Sequence, residues 1–227
     1  MKLIDIFLQP SAVFASLRER PQPALPILLL VFASTLGTAL YFHKVDLGWF
    51  LEQSILQSNP EISDAELARI RDSAGTGATI RWAAPVSSAI GIGAIFLILG
   101  LYYWLAAKLS AVSLSFKESL ALSGWSSMPT LINSLLILLG TLTMDSQTPL
   151  ESLSLTTVDP LLVQLPSDHP WKTLASSFTF LAFWTTFLTA LGWKQLAGSG
   201  SWRTPVIVAV LPSGLIYGGM AVSALLR

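Results

Sequence analysis

Residues 82–107 read WAAPVSSAIGIGAIFLILGLYYWLAA, twenty-six positions without a charged side chain. A helix crosses the roughly 30 Å of bilayer hydrocarbon with about 20 residues, at about 1.5 Å each. This stretch is therefore a membrane span with more than a turn to spare. Four further charge-free runs flank it, at 25–42, 119–144, 173–193 and 204–226. The rest of the composition agrees. Hydrophobic residues make up 52% of the 227 and charged residues only 11%, where a soluble domain carries about 25% charged. The short alternating segments of a transmembrane β-barrel are absent. The expectation is an all-α integral membrane protein: a five-transmembrane-helix bundle with short amphipathic surface helices, forming a single membrane domain over 1–227.

Outside the runs, the first 24 residues do not read as a cleavable signal, because Asp5 and Pro10 interrupt any apolar core and Arg18 and Arg20 precede the first long run. Leu3, Ile6, Phe7, Val13, Phe14 and Leu17 recur at helical spacing. They predict a short amphipathic surface helix over about 3–17, read as lying on the membrane; the alternative, a helix packed on the protein's own bundle, fits the same periodicity about equally. A second helical segment is expected over about 46–75. Asn59-Pro60 breaks it, a capping box at Ser63-Asp64-Ala65-Glu66 reopens it, and Gly75-Thr76-Gly77 ends it. Residues 145–172 carry four prolines and are expected to be an irregular loop.

Orientation rests on charge. With the N-terminus cytoplasmic, that side holds seven cationic and three acidic residues, and the other side six and ten. Lys and Arg alone show little bias, and Arg69 and Arg71 lie far from any span. The reading is N-terminus inside and C-terminus outside, in the cell inner (plasma) membrane. Most tryptophans fall at run edges, as an interfacial belt does. Trp184 sits mid-run and should meet a neighbouring helix.

The chemistry-bearing residues are sparse. There is no cysteine, which removes thiolate metal sites and thiol nucleophiles. His43 and His169 stand at run edges or in loops, and neither a GxSxG nor an HExxH pattern occurs. No catalytic residue, cofactor site or metal site is expected. Asp145, Glu151, Asp159 and Asp168 form a loose acidic series without cage spacing. The cationic and acidic counts are equal, so nothing points to nucleic acid. No ionisable group lies inside a run, which speaks against a charge-coupled transporter.

The runs do contain helix breakers and small residues. Pro129 and Pro212 each remove a backbone donor, with Ser126, Ser127, Thr130, Asn133 and Ser213 near enough to satisfy the freed carbonyls. Gly214 and Gly218 form a GxxxG pair that permits close packing, by default within the chain. Asn133 lies one turn beyond Pro129. Its amide needs a partner, either on a neighbouring span or in a water-filled path.

Several local elements together resemble the bacterial branch of the YIP (Ypt-interacting protein) family. These are Phe7-Leu8-Gln9-Pro10 followed by Phe14 and Leu17, the ISDAEL stretch at 62–67, and Ser115-Phe116-Lys117-Glu118. The most telling is Gly124-Trp125-Ser126-Ser127-Met128-Pro129, similar to the family's G-Y-x-x-x-P element with tryptophan in place of tyrosine. The resemblance covers nearly the whole chain and implies a five-helix membrane protein with a cytosolic N-terminus. Eukaryotic members act in vesicle traffic and associate with prenylated Rab GTPases. The family's D-L-Y-G-P element is missing before the first span, so Rab-type GTPase binding does not carry over. The functional expectation is a non-enzymatic protein of membrane organisation or partner binding. Its partners are the lipid bilayer and either another membrane protein or a second copy in a homo-oligomer. The alternative is a passive channel or carrier through runs two, three and five.

Overall fold

The computed structural model describes residues 2–59, 62–73, 78–166 and 168–226, and among them every regular element is a helix. The expected stops at Pro60 and at Gly75-Thr76-Gly77 lie outside the described residues. Two short helices, α1 (Lys2–Leu8) and α2 (Pro10–Glu19), precede α3 (Ala24–Lys44). Then come α4 (Leu47–Ser58), α5 (Asp64–Ser73) and the long α6 (Ala78–Leu109). The second half holds α7 (Phe116–Ser126), α8 (Thr130–Thr143), α9 (Lys172–Ser177), α10 (Leu181–Ala197) and α11 (Arg203–Leu225).

Local chemistry explains three of the helix starts. The Asp46 carboxylate accepts from the Gly48 and Trp49 amides and opens α4. The Ser63 hydroxyl accepts from the Glu66 amide ahead of α5. Ser115 and Glu118 form a reciprocal capping box at the start of α7. Residues read as a family element thus also have a local physical job.

By length and apolarity, α3, α6 and α11 can each cross a bilayer, and α7 with α8 make a fourth crossing if the bent pair counts as one. The bend is 48° and falls on the residues just before α8, where Pro129 stands. The Trp125 carbonyl, four residues before the proline, accepts instead from the Met128 amide at 3.3 Å. Little of these helices is buried within the chain: 33% of the apolar window of α3, 17% of α6 and 11% of α11. Their outer faces carry Phe32, Ile90, Ile98, Ile207 and Leu215, which is the surface a lipid solvent requires.

Three sequence expectations change. The 173–193 run is not one helix. Its backbone leaves α9 at Phe178 and re-forms as α10, which at 17 residues spans only about 25 Å. No proline or glycine causes this; a non-local pairing does. The Val158 amide donates to the Phe178 carbonyl at 3.0 Å, and the Phe180 amide to the Thr156 carbonyl at 2.9 Å. An antiparallel bridge between Thr157 and Thr179 results. Pro212 does not break its helix either, since α11 runs through it unbroken. Lastly, α2 packs on α10 and α7 of the bundle, the alternative to the membrane-surface placement read from the sequence.

Two apolar cores mark the two ends of the molecule. One joins Ile6, Phe14 and Leu17 to Leu122, Trp125 and Trp193. The other gathers Tyr41, Phe42, Val45, Leu47, Met144 and Leu153, with Trp49 and Phe50 packed on it.

Candidate functional site

The helix-break motif lies in the first core. Trp125 is fully buried, and its indole N–H donates to the Gln22 carbonyl at 2.9 Å, tying α7 to the chain that enters α3. A Cβ at Gly124 would stand 2.9 Å from the Ile27 side chain and 3.0 Å from the Pro26 ring, so only a glycine lets α7 approach α3 this closely. The motif acts as a helix joint. Gly192, on α10, does the same for α2: a Cβ there would fall 2.5 Å from Leu122 and 2.6 Å from the Phe14 ring. Trp184 meets the ring of Phe7 edge-on at 5.4 Å. The helix it packs against is therefore the N-terminal α1 rather than another span.

Asn133 and Pro212 have partners that the sequence did not suggest. The Asn133 side-chain oxygen accepts from the Thr156 hydroxyl at 2.7 Å. Its partner is in the 145–172 segment rather than on a neighbouring span. The Val208 carbonyl, freed because Pro212 has no N–H, accepts from the Tyr102 hydroxyl of α6 at 3.0 Å. Ser213 bonds Val210 instead, at 3.0 Å. The expected packing role of Gly214 and Gly218 is not realised within the chain. A Cβ at Gly218 would meet nothing within 4 Å, and one at Gly214 only Val210 of its own helix.

At the second core, α4 and the 149–172 segment enclose a cleft of about 620 Å³. Tyr41, Trp49 and Phe50 form its apolar wall, and Glu151, Asp168 and Lys172 its polar one. A neighbouring cavity of about 400 Å³ shares Glu151 and Lys172 and adds Asp159. Lys172 and Asp159 form an ion pair at 2.5 Å, with side chains 16% and 6% exposed. The other Asp159 oxygen accepts from the Leu165 amide at 2.9 Å, and Lys172 also donates to the Leu165 carbonyl at 3.0 Å. The pair therefore closes the 159–172 segment on itself. No spacing rule connects two charges thirteen residues apart, so the sequence carried no signal of it.

The polar residues described do not assemble into reactive sets. His43 Nδ1 lies 2.9 Å from the Ala39 carbonyl, and His169 Nδ1 accepts from the Trp171 amide at 3.2 Å. Among the described residues, no group of three or more His, Asp or Glu is placed to hold a metal ion. What the arrangement offers is rigid joints, an outer cleft and a broad lipid-facing surface.

These features define a multi-pass helical membrane protein. Residues 4–223 match the Yip1 domain, and the chain belongs to the Yip1 family. It is similar to the membrane protein YknW of Bacillus subtilis (strain 168), at 25% identity over 211 residues, covering 91% of this chain and 84% of that protein. No solved structure matches.

Proposed function

We propose that the chain is a non-enzymatic, five-span protein of the bacterial inner membrane that organises membrane or binds a partner protein, with its N-terminus cytoplasmic. One observation carries this reading. The helices meet in direct contact at Gly100 with Leu120, Gly124 with Ile27, and Gly192 with Leu122 and Phe14. Such joints hold a fixed shape, which suits a scaffold better than a conduit. They also lock α1 and α2 to the bundle as a platform on which Ile4 and Leu8 are 56% and 73% exposed. Asn133, the residue that could line a path, already has a protein partner in Thr156. The fifth span in this reading is α10, short by about a turn and completed by the bridged residues before it. The charge division between the two ends supports the orientation.

Two measurements test the proposal. In this cysteine-free chain, single cysteines at Ala15, Gln147 and Ser199 are exposed to an impermeant thiol reagent in intact cells. Labelling at Gln147 alone is expected, and labelling at Ala15 and Ser199 instead reverses the topology. Photo-crosslinking groups at Ile4 and Leu8 should give a discrete protein adduct in native membranes. Turnover of a lipid or peptide by the purified protein, abolished by a point mutation, overturns the non-enzymatic reading.

A further inference from the structure

Within the 145–172 segment, the stretch from Leu155 to Pro166 does not present the surface of a solvated loop. Leu155, Leu161, Leu162 and Val163 are 49%, 49%, 69% and 47% exposed. Between Leu155 and Pro166 the one ionisable residue is Asp159, and it is 4% exposed and turned inward to Lys172. A loop shaped for water would show the reverse arrangement.

Part of the backbone at this tip is also satisfied from within. Asp159 to Val163 form a single π turn, and the Gln164 amide donates to the Asp159 carbonyl at 2.7 Å. The next amide, of Leu165, is taken by the Asp159 carboxylate, and the Leu165 carbonyl by Lys172. Pro160 has no N–H to satisfy. These bonds satisfy the Gln164 and Leu165 amides and the Asp159 and Leu165 carbonyls, and so lower the polar backbone cost that keeps irregular loops out of a membrane.

Thr156 bonds Asn133, which lies midway along the charge-free 119–144 run and about 15 Å along α8 from its C-terminal end. Residues 156–158 pair with 178–180 at the head of α10, where Phe180 and Phe183 are 41% and 66% exposed. The exposed leucines therefore follow, within a few residues, a pairing anchored at membrane depth.

We propose that Leu161, Leu162 and Val163 insert into the adjoining bilayer leaflet, so that this loop is a re-entrant interfacial element whose ligand is lipid acyl chain. The Asp159–Lys172 pair holds its polar groups inward, and the π turn presents the three side chains together.

The test uses the full chain, reconstituted in phosphatidylglycerol–phosphatidylethanolamine vesicles, with a nitroxide on Leu162→Cys and, separately, on Gln147→Cys. Collision with oxygen, which partitions into lipid, is compared with collision with a water-soluble nickel chelate. The oxygen-to-nickel ratio is expected to be several-fold higher at 162 than at 147. A nickel-dominated, water-like ratio at 162 overturns the proposal. Low collision with both reagents, accompanied by dipolar broadening between labels, also overturns it and assigns the tip to contact between copies. The same measurement at Val163→Cys, on the same turn, must agree; a water-like result there is equally fatal.

Discussion

Replacing Gly192 by alanine tests whether the N-terminal helices are truly part of the bundle. In an open helical position the change should stabilise by about 0.5–1 kcal/mol, because alanine loses less backbone entropy. At Gly192 the new methyl would stand 2.5 Å from Leu122 Cδ1, and 2.6 and 2.8 Å from two carbons of the Phe14 ring. Carbon atoms in good contact sit about 3.5–4.0 Å apart, so α2 or α10 must move by about 1 Å. Neither neighbour can turn aside into open space, since Phe14 and Leu122 are both 0% exposed. Overpacking of this kind costs about 1–3 kcal/mol. Set against the propensity gain, a net loss of up to about 2.5 kcal/mol is expected. Gly93→Ala on α6 is the control, because a Cβ there meets nothing within 4 Å. Reversible unfolding in mixed micelles, followed by tryptophan fluorescence, should rank Gly192→Ala below wild type and Gly93→Ala at or above it. Adding Phe14→Leu should recover part of the Gly192→Ala loss but none in the control. If Gly192→Ala proves as benign as Gly93→Ala, α2 does not dock where the structure puts it.

Lys172→Met should cost about 3–5 kcal/mol by leaving the buried Asp159 unpaired, and Asp159→Asn in the same chain should return much of it; proteolysis within 145–172 is the readout. Tyr102→Phe strands the Val208 carbonyl beside Pro212 and should lower the melting temperature by the equivalent of about 1 kcal/mol, whereas the same change combined with Pro212→Ala should be close to neutral. Asn133→Leu removes the acceptor of the Thr156 hydroxyl and should cost about 1 kcal/mol, with no solute flux across reconstituted liposomes before or after; a wild-type flux altered by the substitution would contradict the scaffold reading.

The helical, membrane-embedded character was legible because it depends on quantities summed along the chain. A charge-free run longer than about 20 residues must satisfy its own backbone in lipid, and a helix does so without help from elsewhere. Caps are equally local, so Ser63 with Glu66 could be read from spacing. The order of short motifs, from Phe7 to the element ending at Pro129, was enough to suggest the family later matched over 4–223.

The fate of individual breakers could not be read in the same way. Pro129 and Pro212 present the same local defect, a missing amide. One stands at a 48° bend and the other inside a continuous helix. The Val208 carbonyl found its donor in Tyr102, 106 residues away, and no window along the chain contains both. Likewise the 173–193 run is free of charge from end to end, and its pairing with 156–158 turns Phe178 out of the helix.

Hydrophobicity and caps thus determined, from the sequence by itself, that this chain folds as helices in a bilayer and where most of them begin. Tertiary structure alone decided which glycines became joints, which proline bent its helix, whether α2 lay on lipid or on protein, and that Asp159 and Lys172 would close an apolar-tipped loop. The reason is physical. Transfer of apolar surface into lipid and i-to-i−4 hydrogen bonding are properties of a segment. Satisfying a freed carbonyl, a buried amide or a buried charge instead depends on which distant group the packing brings within about 3 Å.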